Sequence, residues 1–467
     1  MTAAATAPRL NDKREIFGWT MYDWANSAFS TTVITVFLGP YLTSIAEAAA
    51  DANGFLRVLG FSIRFDSFFT YCVSISVFLQ LFLLPVLGAI ADYSHLRKRM
   101  LQLFAVIGAA ATLLMFFIVP GQHLLGGLLL IVGNLSFGAS IVFYNAYLPD
   151  IASEDQQDRV SSAGFAMGYA GGGLLLLLNL VLFLFKDSLG LDTAIVARLS
   201  LASAGVWWLG FALITFAALR PRHAVRQLPA GESYFTIGFK QLASTFREIK
   251  HFPQTVRYLL AYLFFNDGIQ TVIVVSAIFA AQELGMDATT RILVILMIQI
   301  VAFLGAYLYG WLAGKIGAFR ALITSLVVWS VVVIYAFAGM HSTAIVLGME
   351  QRQLEFWLLA FVVAIVLGGS QALSRSLFSR MIPVGREAEF FSFYEVSERG
   401  TSWIGPFLFA FVNDRTSSLR FGILSVIVLF VVGLIILLTV NVPRAVAEAG
   451  RSAAPSAGGA AAPAAAD

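Results

Sequence analysis

Three charged residues, Glu395, Glu398 and Arg399, interrupt an otherwise apolar stretch in the last quarter of the chain. Spacings of three and four residues place them, together with Ser402, on one face of a helix. They follow Arg386 by about nine to thirteen residues, which at about 1.5 Å per residue corresponds to the midplane of a bilayer. Glu398, alone or with Glu395, is suited to bind a proton or the ammonium group of a zwitterion, and Arg399 its carboxylate. The alternative is a charge-paired clamp between helices.

A second carboxylate, Asp267, lies near the same depth, because it follows Arg257 by about ten residues. Its neighbours Asn266, Gln270 and Thr271 make one face of this helix polar. Ionisable groups at this depth usually face a cavity or a partner. We therefore expect Asp267 and Asn266 to line a cavity.

The first apolar segment carries polar residues at two depths. Asp23 lies about one turn inside the interface, among tryptophan and tyrosine residues typical of an aromatic belt, and we interpret it as a gate or cap residue. Asn26 and Thr31 lie deeper and are expected to line a pathway. In a later apolar segment, Arg375 is a candidate partner for Glu398.

The composition places these residues in a membrane protein. The chain has 467 residues, of which 59% are hydrophobic and only 12% charged, and the mean hydropathy is +0.82. A soluble chain of this length needs more polar surface to cover its core. The single cysteine, Cys72, lies in an apolar run, so neither a disulfide nor a zinc framework is predicted.

About twelve apolar segments are long enough to cross a bilayer as helices. They lie near residues 18–45, 68–91, 100–120, 123–149, 161–186, 199–219, 254–283, 289–313, 319–339, 353–381, 387–412 and 418–441. The predicted organisation is an N-terminal segment at 1–15, a six-helix bundle at 16–219, a linker at 220–253, a second six-helix bundle at 254–441 and a disordered tail at 442–467.

The linker places apolar residues at helical spacing, namely Phe235, Phe239, Leu242, Phe246 and Ile249. This pattern favours an amphipathic helix on the membrane surface, and the alternative is a solvated linker helix. Basic residues concentrate in the loops on one side of the membrane, which predicts that both termini are cytoplasmic. If the source is bacterial, the membrane is the inner, or cell, membrane.

The loop between the second and third segments combines Gly88, Asp92, Arg97 and Arg99. A glycine lets two helices approach closely. Asp92 can accept hydrogen bonds from the start of predicted helix 11, and Arg97 or Arg99 can pair with Asp150. Breaking such contacts would let two halves rock, so we assign these residues a conformational role. The alternative is that the basic residues only anchor the topology.

A degenerate copy of this loop lies in the second half, at Gly310, Gly314, Lys315 and Arg320. Gly314 stands where the first copy has an aspartate, so the corresponding contact is predicted to be weaker. Two copies at matching places indicate a duplicated chain. The predicted fold class is an all-α integral membrane protein with twelve transmembrane helices in two pseudo-symmetric six-helix bundles.

The first loop resembles the signature between helices 2 and 3 of the major facilitator superfamily. That resemblance implies the major facilitator fold, with a binding site between the two halves. The octapeptide at residues 22–29, Tyr-Asp-Trp-Ala-Asn-Ser-Ala-Phe, is similar to the opening signature of the vacuole-effluxer-like branch, related to the autophagy-associated vacuolar amino-acid exporters of fungi. Segments around Asn145, Gly168-Tyr169, Arg375 and Glu398-Arg399 agree with this branch. The resemblance implies a transporter, suggests amino-acid export, and places Asn145 and Tyr169 with the site residues.

Other functional classes fit less well. The five histidines fall in predicted loops or at helix ends, so no metal site at depth is expected, and no phosphate-binding glycine-lysine loop is present. We expect no enzyme, no cofactor and no nucleic-acid partner. The alternatives to an amino-acid carrier are an exporter of a drug, lipid or sugar-like solute, and a transporter-like receptor that binds without moving its ligand.

We therefore predict a secondary active or facilitative transporter for a small solute, most simply neutral amino acids. It would work by alternating access, with a proton as the candidate coupling ion. Its expected partners are the small-molecule substrate and the lipid bilayer, and we expect it to function as a monomer.

Overall fold

The structure is a computed structural model that describes residues 10–58, 60–93, 96–222, 240, 251–346, 348–399 and 404–450. The predicted linker helix around Phe235 to Ile249, the tail beyond residue 450 and Ser402 lie outside the described residues. Within the described ranges, eleven helices are long and apolar enough to cross a membrane. A further segment, between the tenth and last of these, is described in two parts on either side of residues 400–403.

The first six helices are α1 (Lys13–Ala48), α2 (Phe68–Asp92), α3 (Arg97–Leu114), α4 (His123–Asn145), α5 (Gln157–Leu184) and α6 (Thr193–Ala218). The second six are α7 (Pro253–Gln282), α8 (Ala288–Ile316), α9 (Ala318–Ala338), α10 (Gln351–Arg380), α11 (Glu387–Arg399 and Ile404–Thr416) and α12 (Leu419–Ser425 and Ile427–Leu438). Each of the twelve predicted segments therefore corresponds to a helix.

Two short β-hairpins, which the sequence analysis did not predict, interrupt the helical pattern. In the first, Phe55–Val58 pairs antiparallel with Phe61–Arg64, and in the second, Ile345–Val346 pairs with Met349–Glu350. Gly60 and Gly348 lie at φ +88° and +83°, where a side chain would be strained. The hairpins form because aromatic and β-branched residues flank these turns in loops between helices.

The predicted disordered tail at 442–467 begins with a helix instead, Val442–Glu448. The Asn441 side chain caps this helix by accepting from the Arg444 backbone N–H at 3.0 Å. Glu448 also accepts from the Gln254 backbone N–H at 3.4 Å, so the helix is held against the start of α7.

The middle of α1 is π-helical over Phe29–Phe37. Residues 31–36 are six consecutive β-branched residues, which crowd an α-helix. The Thr35 hydroxyl donates to the carbonyl of Ser30, five residues earlier, at 2.8 Å. This wider winding turns the hydroxyl groups of α1 toward the space between the two halves.

The two halves meet most extensively along three pairs of helices: α2 with α11, α5 with α8, and α5 with α10. The helices α4 and α11 also meet. The starts of the odd-numbered helices and the ends of the even-numbered ones lie at one end of the molecule, as bonds from Asn11 to Ile151 and from Asn441 to Gln254 show. Both described chain ends, residues 10 and 450, lie there, and we call it the terminal end.

At the edge of the terminal end Asp12 caps α1, and the backbone N–H bonds from Glu15 and Arg14 lower the pKa of the Asp12 carboxyl group.

Close helix packing within the first half gives a test of the fold. A Cβ atom at Gly205 of α6 would lie 2.6 Å from the Leu113 backbone nitrogen and 2.8 Å from the Ala109 carbonyl oxygen on α3. We expect Gly205→Ala to destabilise the protein by about 1–3 kcal/mol, because α6 and α3 must separate. A lower unfolding temperature in detergent would report this change.

The matched control is Gly210→Ala on the same helix, where a Cβ would meet no atom within 4 Å. Its unfolding temperature should equal or exceed that of the parent protein, since alanine favours a helix over glycine. Equal effects of the two substitutions would contradict the packing described for α6.

Candidate functional site

A cavity of about 680 Å³ lies between the two halves. It extends from Asp23 and Arg375 toward Thr35, Phe279 and Met340, which lie nearer the opposite end of the molecule. Nine of the predicted site residues line it, namely Asp23, Asn26, Thr31, Asn145, Tyr169, Arg375, Glu395, Glu398 and Arg399.

The charged residues of α11 that line this cavity differ in their burial and in their bonding partners. Glu395 is buried, and its carboxylate accepts from the Arg399 Nε at 3.4 Å and from the Asn145 amide at 3.1 Å. Arg399 is more exposed, with its guanidinium carbon 5.0 Å from the centre of the Phe137 ring. Glu398 accepts from the Tyr262 hydroxyl at 2.9 Å. Glu395 is thus bonded to the first half through Asn145, while Arg399 faces the cavity.

Arg375 joins the two halves at the floor of the cavity. All five of its N–H groups have acceptors: Asp23 at 3.1 and 3.2 Å, Asn145 at 3.3 Å, and the hydroxyl and carbonyl of Ser161 at 2.9 Å each. Its guanidinium also lies over the rings of Trp19 and Phe165, at 4.7 and 4.2 Å. The expected pairing of Arg375 with Glu398 is wrong, because Asp23 lies opposite Arg375 across the interface.

Asp23 is accordingly a cavity residue as well as a contact between the halves. Its Oδ2 accepts from the Tyr144 hydroxyl at 2.7 Å in addition to Arg375. Asn145 accepts from Arg375 and donates to Glu395, so a continuous polar network runs from Asp23 to Arg399 through α10, α4 and α11.

Two further amides connect the halves around the cavity. The Tyr169 hydroxyl donates to Gln371 at 2.7 Å, and Gln299 donates to the Thr31 hydroxyl at 2.9 Å. Neither glutamine was predicted, although an amide within an apolar segment is itself a signal of a polar environment. Ser161 was not predicted either, because a serine near the start of a helix gives no comparable signal.

Asp267 and Asn266, predicted to line the cavity, lie behind it instead. The Asp267 carboxylate accepts from the Gly405 backbone N–H at 2.8 Å. Asn266 donates to the Glu398 carbonyl at 3.3 Å. Both side chains therefore hold α11 against α7, and their neighbours Gln270 and Thr271 face the cavity.

A second polar cluster, here called the latch, joins α2, α3, α11 and the short helix Leu148–Ile151 that follows α4, at the terminal end. The two Asp92 oxygens accept from the backbone N–H groups of Ala388 and Glu389 at 3.0 and 2.8 Å. Arg97 pairs with Asp150 at 2.7 Å, Asp92 at 3.0 Å and Glu387 at 3.3 Å. Both contacts predicted for this loop are present, and Glu387 is an additional member.

Gly88 belongs to the latch because it has no side chain. A Cβ there would lie 2.9 Å from the Ala388 carbonyl carbon and 3.0 Å from the Glu389 Cα. Only glycine therefore lets α2 approach the start of α11 closely enough for Asp92 to reach its N–H groups.

The remaining predicted conformational residues lie apart from the latch. Arg99, Lys315 and Arg320 are exposed, and none forms an ion pair with another described residue. At the corresponding place in the second half, Arg380 pairs with Asp158 at 2.6 Å and Ser379 donates to Gln157 at 2.6 Å. In the second half, bonds between α10 and α5 therefore take the place that the latch has in the first half.

Two helical halves around a central cavity, held together at one end by charged loops, define a transporter of the major facilitator superfamily. Solved structures share this fold. The proton:xylose symporter XylE bound to 6-bromo-6-deoxy-D-glucose has a TM-score of 0.67 at 11% identity, covering 91% of this chain and 95% of that chain. The transporter FucP in its outward conformation has a TM-score of 0.62 at 14% identity, covering 92% and 99%.

The sequence defines the family within that class. Residues 11–450 match the family model described as vacuole effluxer Atg22 like. An uncharacterised transporter of the same superfamily type, YxiO of Bacillus subtilis, is 32% identical over 90% of this chain and 93% of its own length. Autophagy-related protein 22 of Coccidioides immitis is 27% identical over 90% and 86%. The chain belongs to the vacuole effluxer Atg22-like family and is a multi-pass membrane transporter.

The pair of Asp23 and Arg375 can be tested by a double-mutant cycle. We expect Asp23→Asn or Arg375→Gln alone to destabilise the protein by about 3–5 kcal/mol, because each leaves a buried charge without its partner. The double variant should cost less than the sum of the two. Chemical unfolding of the purified protein measures all four free energies.

The exposed pair of Arg64 and Asp66, with 60% and 45% of the side chains exposed, serves as the control. Its cycle should give a coupling of about 0–1 kcal/mol. Additive effects at Asp23 and Arg375 would show that the two residues do not depend on each other.

Proposed function

We propose that this protein is a secondary transporter for small zwitterions, most simply neutral amino acids, and that it works by alternating access. The observation that carries the proposal is the pairing of opposite charges on one cavity wall. Arg399 offers a guanidinium for a carboxylate, and Glu398, with Glu395 beside it, offers carboxylates for an ammonium group.

The size of the cavity supports a small solute. About 680 Å³ lies within the range of small-molecule sites. The polar wall formed by Asn26, Thr31 and Tyr169 also favours a hydrogen-bonding solute over a lipid or an apolar drug.

Alternating access is supported by the position of the bonds between the halves. The latch and the bonds of Arg375 gather toward the terminal end, while the cavity extends toward the opposite end. If the terminal end is cytoplasmic, as the basic residues predict, this conformation is outward-open. The return movement then requires these bonds to break together.

The direction we infer is export, since the family is described as vacuole effluxer like. Both walls of the cavity come from a single chain, which supports function as a monomer. The buried carboxylates near the cavity make a proton the coupling ion that we favour.

The substrate class is tested by counterflow in proteoliposomes loaded with a mixture of unlabelled amino acids. We expect saturable uptake of labelled neutral amino acids, with uptake abolished in Arg399→Gln and strongly reduced in Glu398→Gln, because each loses one of the two charges. Arg415→Gln and Glu47→Gln, which remove exposed charges, should transport like the parent protein. Folded protein that exchanges no amino acid would refute the substrate assignment.

The latch is tested by the accessibility of the terminal end. We expect Asp92→Asn to increase labelling of a cysteine placed at Ser379, in a Cys72→Ala background, by a reagent applied to that side. The reason is that the substitution removes the charge that holds Arg97 and the start of α11. Arg99→Gln, at the same end but outside the latch, should leave labelling unchanged. The conformational role would be disproved by equal labelling in the two variants.

A further inference from the structure

Asp267 differs from every other buried carboxylate in the described part of the chain. Asp23, Asp92, Glu387, Glu389, Glu395 and Glu15 each lie within 3.4 Å of an arginine nitrogen. Asp267 is 1% exposed and forms no ion pair with any described residue. One oxygen accepts from the Gly405 N–H at 2.8 Å, and the other, Oδ1, has no hydrogen-bond partner.

This geometry bears on whether the Asp267 carboxyl group is ionised or protonated. An ionised carboxylate with a single hydrogen bond is costly at this burial, and such a group binds a proton instead. With the proton on Oδ1, the group is neutral and Oδ2 still accepts from Gly405. The neutral acid costs less here than the ionised carboxylate, because it leaves one O–H group without an acceptor instead of a buried charge.

None of the described residues on the elements packed around Asp267 supplies a charged partner for it. On α12 the neighbouring residues are Leu429 and Phe430, which contact the adjacent Gly268. Between residues 393 and 399 of α11 the titratable side chains are Tyr394, Glu395, Glu398 and Arg399, and none of them forms an ion pair with Asp267. Glu395 bonds to Asn145 and Arg399, Glu398 accepts from Tyr262, and Tyr394 stacks on Tyr262. On α7 itself the nearest such group is Tyr262, which donates to Glu398.

The contact with Gly405 connects this carboxyl group to a helical part that also lines the cavity. Gly405 is the second residue of the described part Ile404–Thr416, and its N–H donates to the Asp267 carboxylate. Pro406, the next residue, lines the cavity, as do Gln270 and Thr271 one turn from Asp267. A solute that displaces Pro406 would therefore pull Gly405 away from the carboxyl group and admit water beside Thr271.

We propose that Asp267 is the proton-binding residue of the transport cycle, and that its protonation state is coupled to the position of the second part of α11. The proton leaves Oδ1 for cavity water when Ile404–Thr416 moves, and it returns when the contact with Gly405 re-forms. Coupling of this proton to an amino acid rests on the proposed function, whereas proton binding itself does not.

Proton binding is tested without substrate, by infrared spectroscopy of the full-length protein in lipid over a range of pH. The parent protein should show the carbonyl stretch of a protonated, buried carboxylic acid, and this band should be lost in Asp267→Asn. Asparagine keeps an oxygen that accepts from Gly405 but cannot titrate, so the fold is retained. Asp287→Asn, an exposed cap residue of α8, should leave the band intact. A band that persists in Asp267→Asn would overturn the proposal.

Coupling is tested by flux in the same preparations. In the parent protein, amino-acid exchange should change with pH, and a pH gradient should drive accumulation; in Asp267→Asn the pH response and the accumulation should both be lost. If Glu398→Gln loses the response and Asp267→Asn keeps it, coupling belongs to α11 and the assignment to Asp267 is refuted. If the parent protein moves no amino acid, the proposed substrate fails, while the infrared result still decides proton binding at Asp267.

Discussion

A charge at the depth of a membrane must have a partner, and this requirement organises the interface between the two halves. Arg375 satisfies all five of its N–H groups with Asp23, Asn145 and Ser161, which lie on three different helices of the other half. An arginine bound so completely is oriented by its planar guanidinium and tolerates little displacement. Arg375 therefore constrains the relative position of the halves in this conformation more closely than a single hydrogen bond would.

The same requirement divides the charged residues into two groups. Arg97 with Glu387, Asp92 with the N–H groups of Ala388 and Glu389, and Arg375 with Asp23 are paired across the interface, where they hold the terminal end together. Arg399 and Glu398 face the cavity, and Asp267 lies one helical turn behind it. Bonds made across the interface must break for the halves to rock, whereas side chains that line the cavity can contact a solute directly.

The polar network around Arg375 uses residues at positions that the duplication of the chain repeats in the two halves. Asn145 follows a glycine and a serine by seven and five residues, and Arg375 follows another glycine and serine at the same spacings, so the two occupy matching positions in the halves. They bond to each other across the interface. Asn26 and Asn266 also match, because each follows a tyrosine by four residues and precedes a threonine by five. Asn26 lines the cavity, whereas Asn266 bonds to the backbone of α11. Equivalent positions have thus acquired different functions, because the halves no longer carry the same neighbours around them.

The sequence by itself determined the helices, the duplication, the family and the contacts of Asp92, because these follow from apolar length, repeated spacing and a local motif. It also indicated Arg399 and Glu398 as cavity residues. Only the tertiary structure decided that Arg375 pairs with Asp23, which is 352 residues away, and that Asp267 lies behind the cavity. Spacing along one helix defines a face, but which helix opposes that face depends on how all the helices pack together.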